Sequence, residues 1–254
     1  MSENATMSEP RDLRREHKVV SQEEWISARK ELLIKEKELT RLRDQLSRQR
    51  RKLPWVQLER DYIFDSPAGK QTLADLFEGR SQLVVYHFMF APDWEEGCPS
   101  CSFWADNFSG IGAHLNQRDV TMVAISRAPL GKLEAFKKRM GWSFKWVSSY
   151  NNDFNYDYQV SFTPKDLEKE VDYNYGRRRT DEPEWPGVSV FYKDEQGNVF
   201  HTYSSYARGI DMLNTTYHYL DLVPKGRDED RLEFTMEWVR YHDRYGTNEF
   251  ADAD

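Results

Sequence analysis

Gln82-Leu-Val-Val-Tyr-His-Phe-Met-Phe90, then Ala91-Pro-Asp-Trp-Glu-Glu-Gly97, then Cys98-Pro-Ser-Cys101 is the stretch on which the fold turns. The first segment is a continuous apolar run apart from His87 and reads as a central strand buried on both faces. Residues 91–101 read as a loop. Residues 102–116 read as a helix that begins at or just before Cys101. A Cys-x-x-Cys therefore stands where a buried strand gives way to a helix N-terminus. Backbone N–H groups and the helix dipole stabilise a thiolate there.

Outward from this stretch the chain alternates strands and helices. Residues 120–126 read as another buried strand, and 129–140 as a helix stopped by Gly141. A short strand falls within 142–149. Upstream, residues 61–73 read as two strands around a turn at Pro67-Ala-Gly69, and Leu73–Phe77 as a helical turn. Downstream, 187–192 and 198–203 flank a turn ending at Gly197 and form a hairpin. Residues 210–220 read as helical and 234–244 as a last amphipathic helix. The polar, aromatic stretch 151–183 reads as an irregular insertion before that hairpin. This alternation implies an α/β fold, a central mixed sheet with helices on both faces.

Before the body comes a charged arm. Ser21-Gln-Glu-Glu24 has the form of a capping box, and a long helix is expected from about 22 to 51, ended by Pro54. Trp25, Ala28, Leu32, Leu39, Leu42 and Leu46 form its narrow apolar stripe, spaced by three, four and seven. Such a helix packs by one edge onto the body or serves as a homodimerisation arm. Residues 1–52 are thus a tail and long helix, 53–245 the body and 246–254 a tail.

The chain has 254 residues, 39% hydrophobic and 14% aromatic, enough for a sizeable core. A net charge of −7, with acids interrupting the basic residues of the arm, argues against nucleic acid. No apolar run reaches the roughly 18–20 residues that cross a membrane. The N-terminus lacks the apolar core of a secretory signal, so a cytoplasmic location is expected. There, cysteine pairs are more often catalytic or metal-binding than structural. Zinc would need two further ligands, and the histidines are scattered. No phosphate-binding glycine loop is present. Neither a metal nor a cofactor is expected.

The dithiol suggests thiol–disulfide exchange. Cys98, at the helix N-terminus, is the expected nucleophile, and Cys101, one turn on, resolves the mixed disulfide. Pro99 and Ser100 limit the loop's freedom, which should tune the redox potential. Trp94 lies four residues before Cys98. Glu95 and Glu96 would raise the Cys98 pKa if they stood near it, or relay protons. His87, in the strand entering the loop, is either a satisfied core residue or an auxiliary group. Arg127, beyond the second strand, and Arg208, after the hairpin, are further auxiliary candidates.

Phe64-Asp-Ser-Pro-Ala-Gly-Lys-Gln-Thr-Leu-Ala-Asp-Leu-Phe77, Leu83-Val-Val-Tyr-His-Phe88 and Ala124-Ile-Ser-Arg-Ala-Pro-Leu-Gly-Lys-Leu-Glu-Ala-Phe136 resemble the alkyl hydroperoxide reductase/thiol-specific antioxidant branch of the thioredoxin superfamily. More narrowly, Tyr86-His-Phe-Met-Phe90, Asp93-Trp-Glu-Glu-Gly-Cys-Pro-Ser-Cys-Ser-Phe-Trp-Ala-Asp106 and Phe191-Tyr-Lys-Asp194 resemble a bacterial family of unknown function, number 899. Its members are labelled predicted dithiol-disulfide oxidoreductases. The resemblance implies a thioredoxin-like fold and a disulfide- or thiol-bearing protein, or a small thiol, as partner. It also implies a cis-proline facing the dithiol, a place that Pro186 matches, with Pro183 as its rival. A peroxiredoxin-like, thiol-dependent peroxidase is the alternative enzyme. Its Pro-x-x-x-Thr-x-x-Cys motif is not reproduced: the spacing from Pro92 to Cys98 is one residue short, and Glu95 stands at the threonine's place. A third reading is a non-catalytic binding protein that docks partners on the aromatic insertion.

Overall fold

The computed structural model describes residues 17–246; the expectations for the first residues of the N-terminal tail and for 247–254 fall outside them. The chain divides into two compact units between Leu53 and Pro54.

The first unit contains α1, Gln22–Arg50. Its capping box forms: the Glu24 N–H donates to Ser21 Oγ at 3.2 Å, and the Ser21 N–H donates to Glu24 Oε2 at 3.0 Å. Glu23 and Glu24 lie in the first turn and Arg48 and Arg50 in the last, so both ends complement the helix dipole. None of its residues is buried. No helix among the described residues is long and apolar enough to cross a membrane.

The second unit is built on one eight-stranded sheet: β1 (Val56–Gln57), β2 (Ile63–Ser66), β3 (Gly69–Thr72), β4 (Gln82–His87), β5 (Val120–Ser126), β6 (Lys145–Ser148), and, after a small hairpin of β7 (Val171–Tyr173) and β8 (Gly176–Arg178), β9 (Gly187–Lys193) and β10 (Val199–Tyr206). The spatial order is β1-β10-β9-β4-β5-β6-β2-β3. β4, β5 and β6 are parallel, and β9 runs antiparallel to β4 and to β10. The order β5-β4-β9-β10, with a helix entered through the dithiol after β4, makes this a thioredoxin-like fold. β4 lies at its centre, and the side chains of this strand alternate between two cores. Tyr86 and Phe88 join Trp104, Phe108, Phe136 and Trp146 on one face. Leu83 and Val85 join Phe64, Phe77, Phe154 and Phe191 on the other.

The helices depart from the expectations in instructive ways. The helix expected over 102–116 is two: α2, Pro99–Ala105, and α3, Ile111–Asn116, separated at Gly110, whose φ of +86° no ordinary residue adopts cheaply. α4, Leu130–Arg139, agrees with the pattern. The insertion is ordered: α5 (Phe154–Asp157), α6 (Pro164–Leu167) and the hairpin of β7 (Val171–Tyr173) with β8 (Gly176–Arg178) bury Phe154, Tyr158, Val160 and Phe162 in the second core. The expected helix 210–220 is a 3₁₀ segment, Ala207–Leu213, then α7, Thr215–Leu220. Asn214 lies between them and caps α7 through the Tyr217 N–H at 3.2 Å.

The amphipathic helix expected over 234–244 does not form; those residues make turns and irregular chain. Glu229 competes for the segment. Its Oε1 accepts from Trp238 Nε1 at 2.7 Å, Tyr217 Oη at 2.8 Å and the Met236 N–H at 3.2 Å, and Met236 adopts a φ of +73°. A left-handed residue in its middle ends any helix.

Candidate active site

The dithiol stands at the N-terminus of α2. Cys98 is the N-cap and Pro99, exposed, takes the first helical position, where its missing N–H costs nothing. The Cys98 carbonyl accepts from the Ser102 N–H and Oγ, each at 3.0 Å, and the Cys98 N–H donates to the Met89 carbonyl at 3.0 Å. The cysteine is thus tied to both the strand end and the helix. Gly97 makes this approach: a Cβ there would lie 2.6 Å from the Phe88 ring. Its carbonyl accepts from Tyr241 Oη at 2.7 Å.

The two thiols, both free, have opposite surroundings. Cys98 is half-buried. The Cys101 thiol hydrogen-bonds to it, and the Cys101 N–H (3.5 Å), the Ser100 N–H and the Ser100 hydroxyl add to this, holding its pKa below the ordinary thiol value against the opposing effect of burial. Cys101 is buried. Burial first, then its hydrogen bond to Cys98 and the negative charge there, push its pKa well up. The Met89 N–H donates to Cys101 Sγ at 3.4 Å and works the other way. Tyr86 faces the same sulfur from β4. Its hydroxyl is buried and makes no formed hydrogen bond, yet stands within electrostatic reach of Cys101 and favours a thiolate there. Burial, then Cys101, keeps the phenol itself protonated.

A cleft of about 970 Å³ opens beside Cys101. Tyr86, Met89, Cys101, Trp104 and Pro186 lie at its inner end, and the segment from Lys225 to Met236 forms an outer wall. Arg208, its side chain 87% exposed, lies at the rim and contacts Asp211 at 3.4 Å. The structure thus gathers Ser100, Cys101, Pro186 and Arg208 around one opening, while Cys98 lies outside its lining.

Pro186 borders the cleft, but no peptide bond among the described residues is cis, so the expected cis-proline is corrected to a trans one, as for Pro183. The chain around Pro186 is held extended by the Trp185 N–H donating to the Val160 carbonyl (2.8 Å) and Tyr173 Oη donating to the Pro186 carbonyl (2.7 Å). His87 follows Tyr86 in β4 and so points to the opposite face. There its Nε2 lies 2.8 Å from Ser189 Oγ and its ring stacks near Phe154 and Tyr158. Burial, aided by His201, lowers its pKa to about 3, so it is a neutral core residue rather than an auxiliary of the dithiol. Arg127 is taken up by the buried Glu184 (2.7 Å) and the Tyr156 ring (4.6 Å). Glu95 is exposed and 3.7 Å from Lys132. Glu96 is paired with Arg139 and Arg244, at 2.5 Å each, which offsets the charge expected to weaken Cys98. Trp94 packs against the first core, and its carbonyl accepts from Lys132 Nζ at 2.7 Å. Among the described residues no three metal-ligating side chains are grouped to hold an ion.

Sequence reading missed Tyr86 and the Met89 N–H. The signal for Tyr86 was parity: it shares the face of Phe88 and Phe90, the face that α2 covers.

Residues 14–245 match the family described as "Bacterial protein of unknown function (DUF899)". The chain belongs to that family. No functionally curated protein matches it. Among solved structures, this DUF899 member is similar to the bacterioferritin comigratory protein of Xanthomonas campestris, at 12% identity and a TM-score of 0.42 over 61% of this chain and 86% of that one. It is also similar to peroxidoxin BcpB from Mycobacterium tuberculosis (16%, 0.39, 62% and 91%) and to the yeast mitochondrial 1-Cys peroxiredoxin (18%, 0.37, 64% and 74%). At these scores the fold assignment rests on the chain's own strand order.

Proposed function

We propose that this DUF899 protein is a thiol–disulfide oxidoreductase. The carrying observation is the asymmetry of the pair: Cys98 is half-exposed with its thiolate favoured, and Cys101 is buried with its thiol favoured. The Cys98 thiolate attacks one sulfur of a disulfide R–S–S–R′, forming Cys98–S–S–R and expelling R′–S⁻, which takes up a proton. Cys101 then loses its proton, attacks Cys98 Sγ and expels R–S⁻. The substrate gains two electrons and two protons, and the protein holds a Cys98–Cys101 disulfide that a thiol or dithiol reductant returns to the starting state.

Tyr86 and the Met89 N–H assist the second step. Once Cys98 is in a mixed disulfide its charge is gone, and Cys101 must ionise while buried. The amide at 3.4 Å and the phenol beside it are the available donors. Pro186 and Arg208 contact the incoming disulfide in the cleft. With Arg127 held on Glu184, the peroxide reading loses the helper arginine that the sequence offered for it.

Trapping tests the order of events. Cys101→Ser should accumulate a Cys98 mixed disulfide with a small disulfide such as 2-hydroxyethyl disulfide, and Cys98→Ser should accumulate none. A mixed disulfide on Cys101 alone would reverse the assignment.

A further inference from the structure

α1 carries a repeat that the dithiol chemistry does not use. Trp25, Leu32, Leu39 and Leu46 recur every seven residues, and Ala28, Lys35, Leu42 and Gln49 follow each of them by three. These are the a and d positions of a heptad over a helix about 43 Å long. The larger apolar members are open to solvent: Trp25 is 53% exposed, Leu32 51%, Leu39 58% and Leu42 50%. A single strand of such a repeat leaves its seam wet.

The charges beside the seam select the partner and its direction. The g positions are Glu24, Glu31, Glu38 and Gln45, and the e positions are Arg29, Glu36, Arg43 and Arg50. In a parallel, in-register pair each g faces the e five residues later on the other helix. That places Glu24 against the second copy's Arg29, Glu38 against its Arg43 and Gln45 against its Arg50. Only Glu31 meets a like charge, Glu36, and Arg29 already holds Glu36 at 2.8 Å. In an antiparallel pair g faces g and e faces e. Three glutamates would then share one flank and three arginines the other, which like-charge repulsion opposes.

We propose that a second copy of this chain covers the apolar stripe, two α1 helices forming a parallel, in-register coiled coil. Lys35 sits at a d position, where a polar residue lowers stability and fixes register, so the dimer is reversible. Nothing in this proposal depends on the redox reading, because the stripe and its flanking charges lie outside the dithiol unit.

Sedimentation equilibrium of the full chain tests it. The expected result is an average mass that rises with concentration from 30.2 kDa toward twice that value. The double variant Leu32→Asp/Leu39→Asp should stay monomeric, with the near-ultraviolet spectrum of its body unchanged. Lys35→Leu should tighten the dimer by about tenfold or more, since it replaces a seam charge with an apolar contact. For direction, Leu46→Cys in a Cys98→Ser/Cys101→Ser background should oxidise to a covalent dimer, because position 46 meets its own copy only in the parallel pair. A monomer at every concentration for both the natural chain and Lys35→Leu overturns the proposal. So does a dimer that survives the double aspartate variant, or a dimer that Leu46→Cys fails to cross-link.

Discussion

Cys98 and Cys101 are separated by two residues and face opposite demands, and the groups around them divide accordingly. Ser100 and the α2 N-terminus serve Cys98; Tyr86 and Met89 serve Cys101. Tyr86→Phe removes the hydroxyl that stands within electrostatic reach of the second sulfur. The expected result is an unchanged pH profile for alkylation of Cys98, with resolution of a preformed mixed disulfide slowed about tenfold, the order of one hydrogen bond to a charged group. Stopped-flow measurement of product-thiol release reads this, and an unchanged rate would remove Tyr86 from the step. Gly97→Ala drives a methyl into the Phe88 ring and should cost about 1–3 kcal/mol in a urea melt. A cost near zero would show that Phe88 can move aside. The cysteines were legible in the sequence because their spacing and setting are local. Tyr86 was not, because an apolar run reveals alternation but not which face the following helix will cover. For the same reason the sequence left His87 open between a core residue and an auxiliary group, and its ring lies in the core on the far side of the sheet.

At the scale of elements, β4, β5, α4 and the β9–β10 hairpin follow from their patterns, since each is a single run with one period. The segments that escaped reading are held by distant partners. The insertion is ordered by Phe154 and Tyr158 reaching the second core, contacts invisible to any local window. The chain after α7 has the aromatic spacing of a helix in Phe234, Trp238 and Tyr241, but three donors converge on Glu229 and Met236 turns left-handed. Glu229→Ala strips the acceptor from all three. It should lower stability by about 1–3 kcal/mol, because part-buried donors left unpaired are costly, and should expose the segment after Leu222 to proteolysis. Limited trypsin digestion with mass analysis checks this; a cleavage pattern like that of the natural chain would mean that the wall is held by other contacts.

For the whole molecule, two buried groups of opposite sense shape stability against pH. His87 titrates near 3 when folded and near 6.5 when unfolded. Between those values the unfolded chain binds the extra proton, so stability falls as pH falls, by at most about 1.4 kcal/mol per unit. Glu184 is pushed to about 7, chiefly by burial, from an ordinary 4.5. Between those values the folded chain binds the extra proton, so stability falls as pH rises. The two slopes offset each other from about 4.5 to 6.5, and the loss attributable to His87 emerges below. Glu184→Gln should uncover the His87 slope in that window, and urea melts at a series of pH values measure it; a variant as flat as the natural chain would contradict the pairing of these groups. The dithiol itself is tested by its equilibrium redox titration, by thiol-trapping mass spectrometry across dithiothreitol ratios. A thiol–disulfide oxidoreductase should give one reversible two-electron transition between the dithiol and the Cys98–Cys101 disulfide, absent from Cys98→Ser. Two thiols that form no intramolecular disulfide at any poise would contradict it.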